Sequence, residues 1–491
     1  MDEQRGRVQA DDPGFRRPER RRRAGPTRRG GGQAGQMDAE RRRHVEPRRL
    51  QRKLKTFYID NHGCAKNQVD AEEMAARLVA DGWKQSASMA DTGLVIVNTC
   101  GFIEDAKKES LEAVMSIKAA YPDKRILVSG CLSQRYAGAL ASDLAEADGV
   151  FGNGDLSLVG EAAVSALEGR RGTLAPERVA YAPARRSALM GFPRSAYLKI
   201  AEGCNNRCSF CAIPIIRGDV SSRDPDDVAA EFAELVARGA YEICLIGQDL
   251  GSYGVDRSGG QLLPELLSGL SSISGDWRVR MLYIHPDRFP RAVLDACARD
   301  ERVLPYFDLP FQHASGRVLR AMNRSGDADR YLGLLSDIRS ALPAATIRST
   351  FLVGFPGEED ADFSELRRFQ EAARLDWLGA FAYSREEDTP AYSMKGRVPK
   401  RVASARKKEI EDAQRPITEK ALERFVGTGQ TVLVEERIEG EDLAIARGYM
   451  NAPDVDGAVV VVGGELAAGD VLEVSVKAVR GVDLEATPRA R

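Results

Sequence analysis

From Lys55 onward, short apolar runs alternate with stretches whose apolar residues recur at helical spacing. Thr56-Phe57-Tyr58-Ile59 leads into Gly63-Cys64, Leu94-Val95-Ile96-Val97 into Asn98-Thr99-Cys100, and Ile126-Leu127-Val128-Ser129 into Gly130-Cys131. Helical patterns follow over 70–80, 104–120 and 136–145. Strand–helix alternation of this kind predicts a parallel sheet with flanking helices. A fourth run at 149–152 and a helical pattern at 158–167 close this first unit. The Gly-, Arg- and Pro-containing stretch 169–194 then reads as a linker.

A second series starts at Tyr197-Leu198-Lys199-Ile200 and continues with strand patterns at 243–246, 279–284, 306–309, 347–353 and 378–383. Helical patterns intervene at 225–238, 262–270, 291–299, 327–342 and 358–373. Six strand–helix units predict a partial (β/α)6 barrel, shorter than the eight-unit fold, with its site at the carboxyl ends of the strands. Past Phe425 the texture changes to short apolar runs at 431–434, 458–462 and 471–476 between Gly-rich turns, the mark of a small antiparallel β-barrel. The expected fold class is multidomain α/β, with units over 54–168, 195–424 and 425–487 behind an Arg-rich extension over 1–53.

Cysteine placement adds chemistry to this frame. Cys204, Cys208 and Cys211 stand in Ala-Glu-Gly-Cys-Asn-Asn-Arg-Cys-Ser-Phe-Cys, spaced by three and then two residues, directly after the first strand of the second series. Three thiolates on one short loop can hold three irons of a [4Fe–4S] cluster and leave the fourth open to a small chelating molecule. The competing reading, a structural zinc loop, needs four protein ligands. The nearest further Cys or His in sequence, Cys244, lies inside an apolar strand pattern.

Cys64, Cys100 and Cys131 each follow a strand of the predicted parallel sheet. Ligands of such sheets sit beyond the carboxyl ends of the strands, so the three can converge although more than thirty residues separate each from the next. Three convergent thiolates suit a second [4Fe–4S] cluster with one free iron; the alternative is three small buried residues, common for Cys. Cys244 and Cys297 lack this context and read as core residues.

Composition narrows the class. A content of 43% hydrophobic and 29% charged residues describes a globular chain, and no apolar run approaches the ~18 residues of a membrane span. The N-terminus has no apolar signal core, so a cytoplasmic location is expected. Eight cysteines in 491 residues do not form a disulfide scaffold. The net charge of −2 hides an asymmetry: residues 1–53 hold sixteen Arg and one Lys against eight acidic residues. That stretch is too poor in apolar residues to build a core and is expected to be disordered. It reads as a nucleic-acid or ribosome contact, or as a dispensable extension with Met37 as a later candidate start. Residues 425–487 carry four basic residues, Arg437, Arg447, Lys477 and Arg480, against twelve acidic ones. A negative barrel repels a phosphate backbone and attracts a basic protein.

The loop 201–211 resembles the signature of the radical S-adenosylmethionine enzymes. Two cysteine triads followed by a small barrel resemble the methylthiotransferase family, with its cluster domain, radical S-adenosylmethionine barrel and TRAM domain, over Lys55 to about Thr487. One branch of that family modifies adenosine in tRNA; another modifies an aspartate of small-subunit ribosomal protein S-twelve. The chain looks most like the second. The likeness is carried by Gly63-Cys64-Ala65-Lys66-Asn67-Gln68-Val69-Asp70, Asn98-Thr99-Cys100-Gly101-Phe102-Ile103, Asp308-Leu309-Pro310-Phe311-Gln312-His313-Ala314-Ser315 and Ala452-Pro453-Asp454-Val455-Asp456-Gly457. The tRNA branch usually has Gln-Met-Asn after the first Cys and Gln-Ser-Gly in the third segment. Ala65 stands where a Pro is usual and Phe311 where a Leu is usual; neither is a candidate ligand.

The resemblance implies two [4Fe–4S] clusters and S-adenosylmethionine as cofactors. The Cys204/Cys208/Cys211 cluster would generate an adenosyl radical that takes hydrogen from the aspartate β-carbon. The Cys64/Cys100/Cys131 cluster would deliver sulfur, and a second S-adenosylmethionine the methyl group. Protein S-twelve, alone or on the assembled subunit, and a reductant such as flavodoxin or ferredoxin are the implied partners, with no membrane involved.

Polar residues expected around the barrel mouth are Gly247-Gln248-Asp249, His285, Gln312-His313 and Ser349-Thr350. Gln248, Thr350 and Gly354 are the candidates to contact S-adenosylmethionine, although the turn holding Gly354 also reads as a plain connection into a helix. Two rivals remain: a tRNA adenosine methylthiotransferase, and a non-catalytic iron–sulfur factor that binds ribosomes.

Overall fold

The computed structural model describes residues 55–489 except Ser187, so the expectations for residues 1–53 lie outside the described residues. Strands β1 (Thr56–Asn61), β2 (Lys84–Gln85), β3 (Leu94–Thr99), β4 (Arg125–Gly130), β5 (Gly149–Gly152) and β6 (Gly172–Leu174) pair in parallel in the order β2-β1-β3-β4-β5-β6. β3 is buried along its whole length, as a central parallel strand covered on both faces must be. Its side chains alternate between two cores. Leu94 and Ile96 meet helices Ala65–Ala80 and Val159–Leu167, while Val95 and Val97 meet helices Glu104–Ala120 and Ala137–Asp143. β6 falls within the stretch 169–194 and extends the sheet at its edge.

The second sheet contains β7 (Ser195–Lys199), and a two-residue ribbon, β8 (Ala201–Glu202) with β9 (Ser221–Ser222), follows it. β10 (Glu242–Ile246), β11 (Arg278–Met281), β12 (Val303–Asp308), β13 (Thr346–Val353) and β14 (Trp377–Ala382) complete it, all parallel, in the order β7-β10-β11-β12-β13-β14. Each strand lies beside its sequence neighbour and β7 does not pair with β14, giving the open, partial barrel. The outer face packs against the intervening helices in the largest core. The inner face belongs to a different core, in which Cys244, Ile246, Leu282, Tyr306 and Trp377 meet Val69 of the N-terminal domain and Val432, Met450 and Ala452 of the C-terminal one. The barrel lumen is therefore plugged by its two neighbours.

β15 (Gly429–Arg437), β16 (Leu443–Arg447), β17 (Val459–Val462), β18 (Val471–Arg480) and β19 (Asp483–Pro488) close into a barrel in the order β15-β16-β17-β19-β18. All its ladders are antiparallel except β17 with β19. β16 and β19 carried no legible run in the sequence. Arg447 reaches from this barrel to Glu242 in the lumen, where Arg278 (2.6 Å) and Arg280 (3.1 Å) also bind. Burial alone would raise the Glu242 pKa, but the three guanidinium groups outweigh it and hold the carboxyl well below its usual range. Among the described residues no helix is long and apolar enough to cross a membrane.

Candidate active site

The loop after β7 is shaped by backbone before any metal is considered. Gly203 sits at φ 71°, and a Cβ there would stand 1.9 Å from the Asp219 carbonyl oxygen, so only glycine fits. The β8–β9 ribbon ties the two ends of the loop together, and the Cys204 amide donates to the Gly218 carbonyl at 3.1 Å. Ser209 donates through its amide to Met322 (3.0 Å) and through its hydroxyl to Ala321 (2.8 Å). Donors surround the sulfurs: Asn206 Nδ2 lies 3.4 Å from Cys204 Sγ, the Ile213 amide 3.4 Å from Cys211 Sγ, and Arg324 3.9 Å from Cys208 Sγ. Asn206 is held in turn by Asp249 at 2.9 Å, which also accepts from Ser252 Oγ at 2.6 Å and the His285 amide at 3.0 Å. Burial pushes the Cys204 thiol up to about 11 and raises Cys208 and Cys211 as well. Such thiols stay neutral until a metal supplies the compensating charge.

Cys64, Cys100 and Cys131 follow β1, β3 and β4, which are adjacent in the sheet, and the structure brings them together. A Cβ on Gly63 would lie 3.0 Å from Cys100 Cβ, and one on Gly101 would lie 2.7 Å from the Leu132 amide nitrogen. Asn67 fastens the loops, donating to His62 and Thr99 carbonyls, each at 2.9 Å, while Cys131 Sγ donates to its Oδ1 at 3.3 Å. Burial pushes the Cys100 thiol up to about 12 and raises Cys131 also. Every cysteine is free of disulfides. Among the described residues no three Cys, His, Asp or Glu side chains close on a point suited to one metal ion. A four-iron cluster binds each thiolate at a different iron, whereas zinc gathers all its ligands on one ion.

Arg217 joins the two triads. It ends the short helix Ile213–Arg217 that follows Cys211, and it is 1% exposed. One nitrogen donates to both Glu202 oxygens (2.9 and 3.0 Å); the other reaches Asn67 Oδ1 (2.8 Å), Asp70 Oδ2 (2.8 Å) and Cys131 Sγ (3.1 Å). Lys199 completes the network, donating to Asp70 at 2.5 Å and Glu202 at 2.9 Å. Burial works against the Glu202 carboxylate, but Arg217 and Lys199 outweigh it and keep it well below the usual range. Two buried carboxylates thus face two buried cations across the domain boundary, the balance that buried charges require.

Gln248 follows β10, half-buried, and Thr350 lies in β13, where its hydroxyl accepts from Arg348 at 3.5 Å. Gly354 has φ 75°, and a Cβ there would lie 2.4 Å from Ala403 Cβ of helix Lys400–Leu422, so packing accounts for its missing side chain. Glu358 accepts from the amides of Gly354 (2.6 Å) and Phe355 (3.1 Å), fixing the turn. His285 and His313 shape turns through Nδ1, accepting from Asp287 (3.3 Å) and Ser315 (2.9 Å). Burial pushes His285 down to about 4 and His313 to about 3, so both rings are neutral. Sequence reasoning missed Arg217, Arg324 and the pairing of Glu202 with Lys199; no spacing rule marks them, because their partners lie in distant segments.

The fold and the paired triads define a radical S-adenosylmethionine type of protein. Residues 198–369 match the description "Radical SAM superfamily", 56–152 match "Uncharacterized protein family UPF0004", and 426–488 match "TRAM domain". The solved radical S-adenosylmethionine methyltransferase TsrM from Kitasatospora setae has a similar fold, with a TM-score of 0.50 at 14% identity over 85% of this chain and 81% of its own. Ribosomal protein uS12 methylthiotransferase RimO of Treponema denticola is 46% identical over 87% of this chain and 99% of its own length. RimO of Streptomyces avermitilis is 39% identical, covering 88% and 97%. The chain belongs to the RimO family of radical S-adenosylmethionine methylthiotransferases.

Proposed function

We propose that this enzyme inserts a methylthio group at the β-carbon of an aspartate of ribosomal protein uS12, the small-subunit protein S-twelve, in the cytoplasm. The observation that carries the reading is Arg217, which follows Cys211 in the chain and reaches Cys131 Sγ, Asp70 and Glu202, so that the segment after one triad is anchored beside the other. In this reading Cys204, Cys208 and Cys211 hold one [4Fe–4S] cluster and Cys64, Cys100 and Cys131 a second, with Gln248, Thr350 and the Gly354 backbone near S-adenosylmethionine. When bound, these cofactors supply the radical, sulfur and methyl chemistry that an unactivated C–H bond demands. The chain contributes placement. Gly203 and the β8–β9 ribbon shape one loop, Asn67 clamps the other, and Arg217 and Arg324 aim positive charge at thiolate ligands. Neutral His285 and His313 are turn-forming groups, and no acid–base pair is required.

The C-terminal barrel supports a protein substrate. Of its four basic residues, Arg447 is turned inward to Glu242, leaving Arg437, Lys477 and Arg480 on an otherwise acidic exterior. That surface suits a basic ribosomal protein better than a phosphate backbone. A flavodoxin or ferredoxin would provide electrons.

The test is an anaerobic reaction of the reconstituted enzyme with S-adenosylmethionine, sulfide and reductant, offering a uS12 loop peptide and unmodified tRNA together. A methylthio mass gain on the peptide alone is expected; a gain on tRNA alone overturns the substrate.

A further inference from the structure

The segment that follows β14 touches the supports of both cysteine triads. At its far end the Ala391 amide donates to the Ser209 carbonyl at 2.9 Å, between Cys208 and Cys211. At its near end Ser384 Oγ accepts from the Glu104 amide at 3.3 Å, and Glu386 accepts from Lys107 (2.9 Å) and Arg135 (2.6 Å). Glu104 and Lys107 lie in the first turn of helix Glu104–Ala120, which starts just after Cys100. Arg135 ends the short helix that Cys131 begins. It also donates to the Gly101 carbonyl at 3.2 Å and the Glu387 carbonyl at 2.6 Å. One carboxylate of the barrel therefore collects the segments after two of the N-terminal cysteines. Five residues farther on, the same stretch holds the loop of the other triad.

The stretch is built to stay in place. The Glu386 side chain is only 2% exposed and that of Arg135 only 1%. Ser384 Oγ donates to the Glu386 carboxylate and Thr389 Oγ1 to its backbone carbonyl, each at 2.6 Å. Pro390 then locks its own φ immediately before Ala391. A buried carboxylate gripped by two cations of another domain is costly to break, because its loss leaves both cations unanswered. Neither cation has a cysteine sulfur among its partners, so the grip does not depend on what the cysteines carry. The proposed reaction asks two centres to act on one carbon, and a displacement of about 1 Å in such an arrangement can cost about a hundredfold in rate.

We propose that Glu386 is a positioning residue: through Lys107 and Arg135 it fixes the N-terminal triad relative to the Cys204–Cys211 loop, so that both centres serve the same substrate carbon. This rests on the two-cluster reading.

The experiment compares native and Glu386→Gln enzyme, both reconstituted anaerobically, in two readouts at measured iron per chain. Dipolar coupling between the two reduced clusters, seen by electron paramagnetic resonance, reports their relative placement without turnover. The ratio of 5′-deoxyadenosine to methylthio peptide reports how often radical formation is followed by sulfur insertion. Glu386→Gln should alter the coupling and raise the ratio about tenfold to a hundredfold, with iron content and the rate of deoxyadenosine formation unchanged. Lys107→Met, which keeps the contact between Arg135 and Glu386, should move both readouts the same way by less, and it decides the matter if Glu386→Gln does not fold. Native coupling and a native ratio in the folded variants overturn the assignment. So does loss of iron or of both products together at an unchanged ratio, which would mark a purely structural ion pair. Native enzyme that loads iron at one triad only shows no coupling; that result overturns the two-cluster reading and the assignment with it.

Discussion

Cys204, Cys208 and Cys211 lie within eight residues on one loop, whereas Cys64, Cys100 and Cys131 are gathered from three strand ends spread over sixty-eight residues. In the first triad covalent connection supplies proximity, and the fold only has to turn the sulfurs the same way. In the second, proximity is a product of sheet order, because β1, β3 and β4 must be adjacent and in register before any pair of thiols meets. The second triad also leans on the first: Arg217, six residues after Cys211, is the guanidinium beside Cys131. The local site is held by segments of its own barrel, such as Ala321, Met322 and Arg324; the distributed one needs its own sheet and a neighbouring domain.

Cysteine replacements should divide the two sites most sharply. Cys204→Ala is expected to abolish 5′-deoxyadenosine formation, measured by chromatography; Cys64→Ala should leave that product in place while no methylthio product appears. Deoxyadenosine from the Cys204 variant would end the division of labour.

Arg217→Met comes next. It strands Asp70 and part of Glu202 in the interior, which should cost about 3–5 kcal/mol of stability. Thermal unfolding would read the loss, and iron per chain should fall at the N-terminal triad before the loop. Equal iron loss at both sites would contradict the dependence of one on the other. Gly203→Ala is the mirror experiment: the clash with Asp219 at a left-handed backbone should cost about 1–3 kcal/mol and impair iron loading of the loop alone.

The smallest effect is expected at Asp456, in the C-terminal barrel far from either triad in sequence. Burial lifts its carboxyl to about 6, although Arg348 at 3.3 Å and Tyr306 at 2.6 Å oppose the shift. A folded pKa above the unfolded ~3.9 means the native chain holds the proton longer. Its contribution is therefore fully present below about pH 4 and is lost as pH rises through about 6. Asp456→Asn should flatten denaturant-measured stability across that window; an unaltered profile would show that Arg348 keeps the carboxylate ionised.

Legibility followed the range of the interactions. The cysteine loop, the three strand-end cysteines and the six barrel strands could be read because each depends on local periodicity and spacing. β16 and β19 could not, since Leu443-Ala444-Ile445-Ala446-Arg447 and Asp483-Leu484-Glu485-Ala486 are strands only through the partners that pair with them. Gly354 could be read as a ligand contact or a plain turn, but not as a packing position against Ala403, forty-nine residues on, whose Cβ an added side chain would meet at 2.4 Å.

By itself the sequence determined the chemistry: which side chains are soft sulfur donors, which strands they follow, and the acidic character of the last barrel. Those properties travel with residue identity and short-range geometry. Only the tertiary structure decided that Arg217 and Lys199 answer Asp70 and Glu202, that the lumen is plugged from both sides, and that the Lys66 ammonium lies over the Tyr283 ring. Charge pairing in a low-dielectric interior depends on distances of a few ångströms between segments far apart in the chain, and folding alone sets those distances.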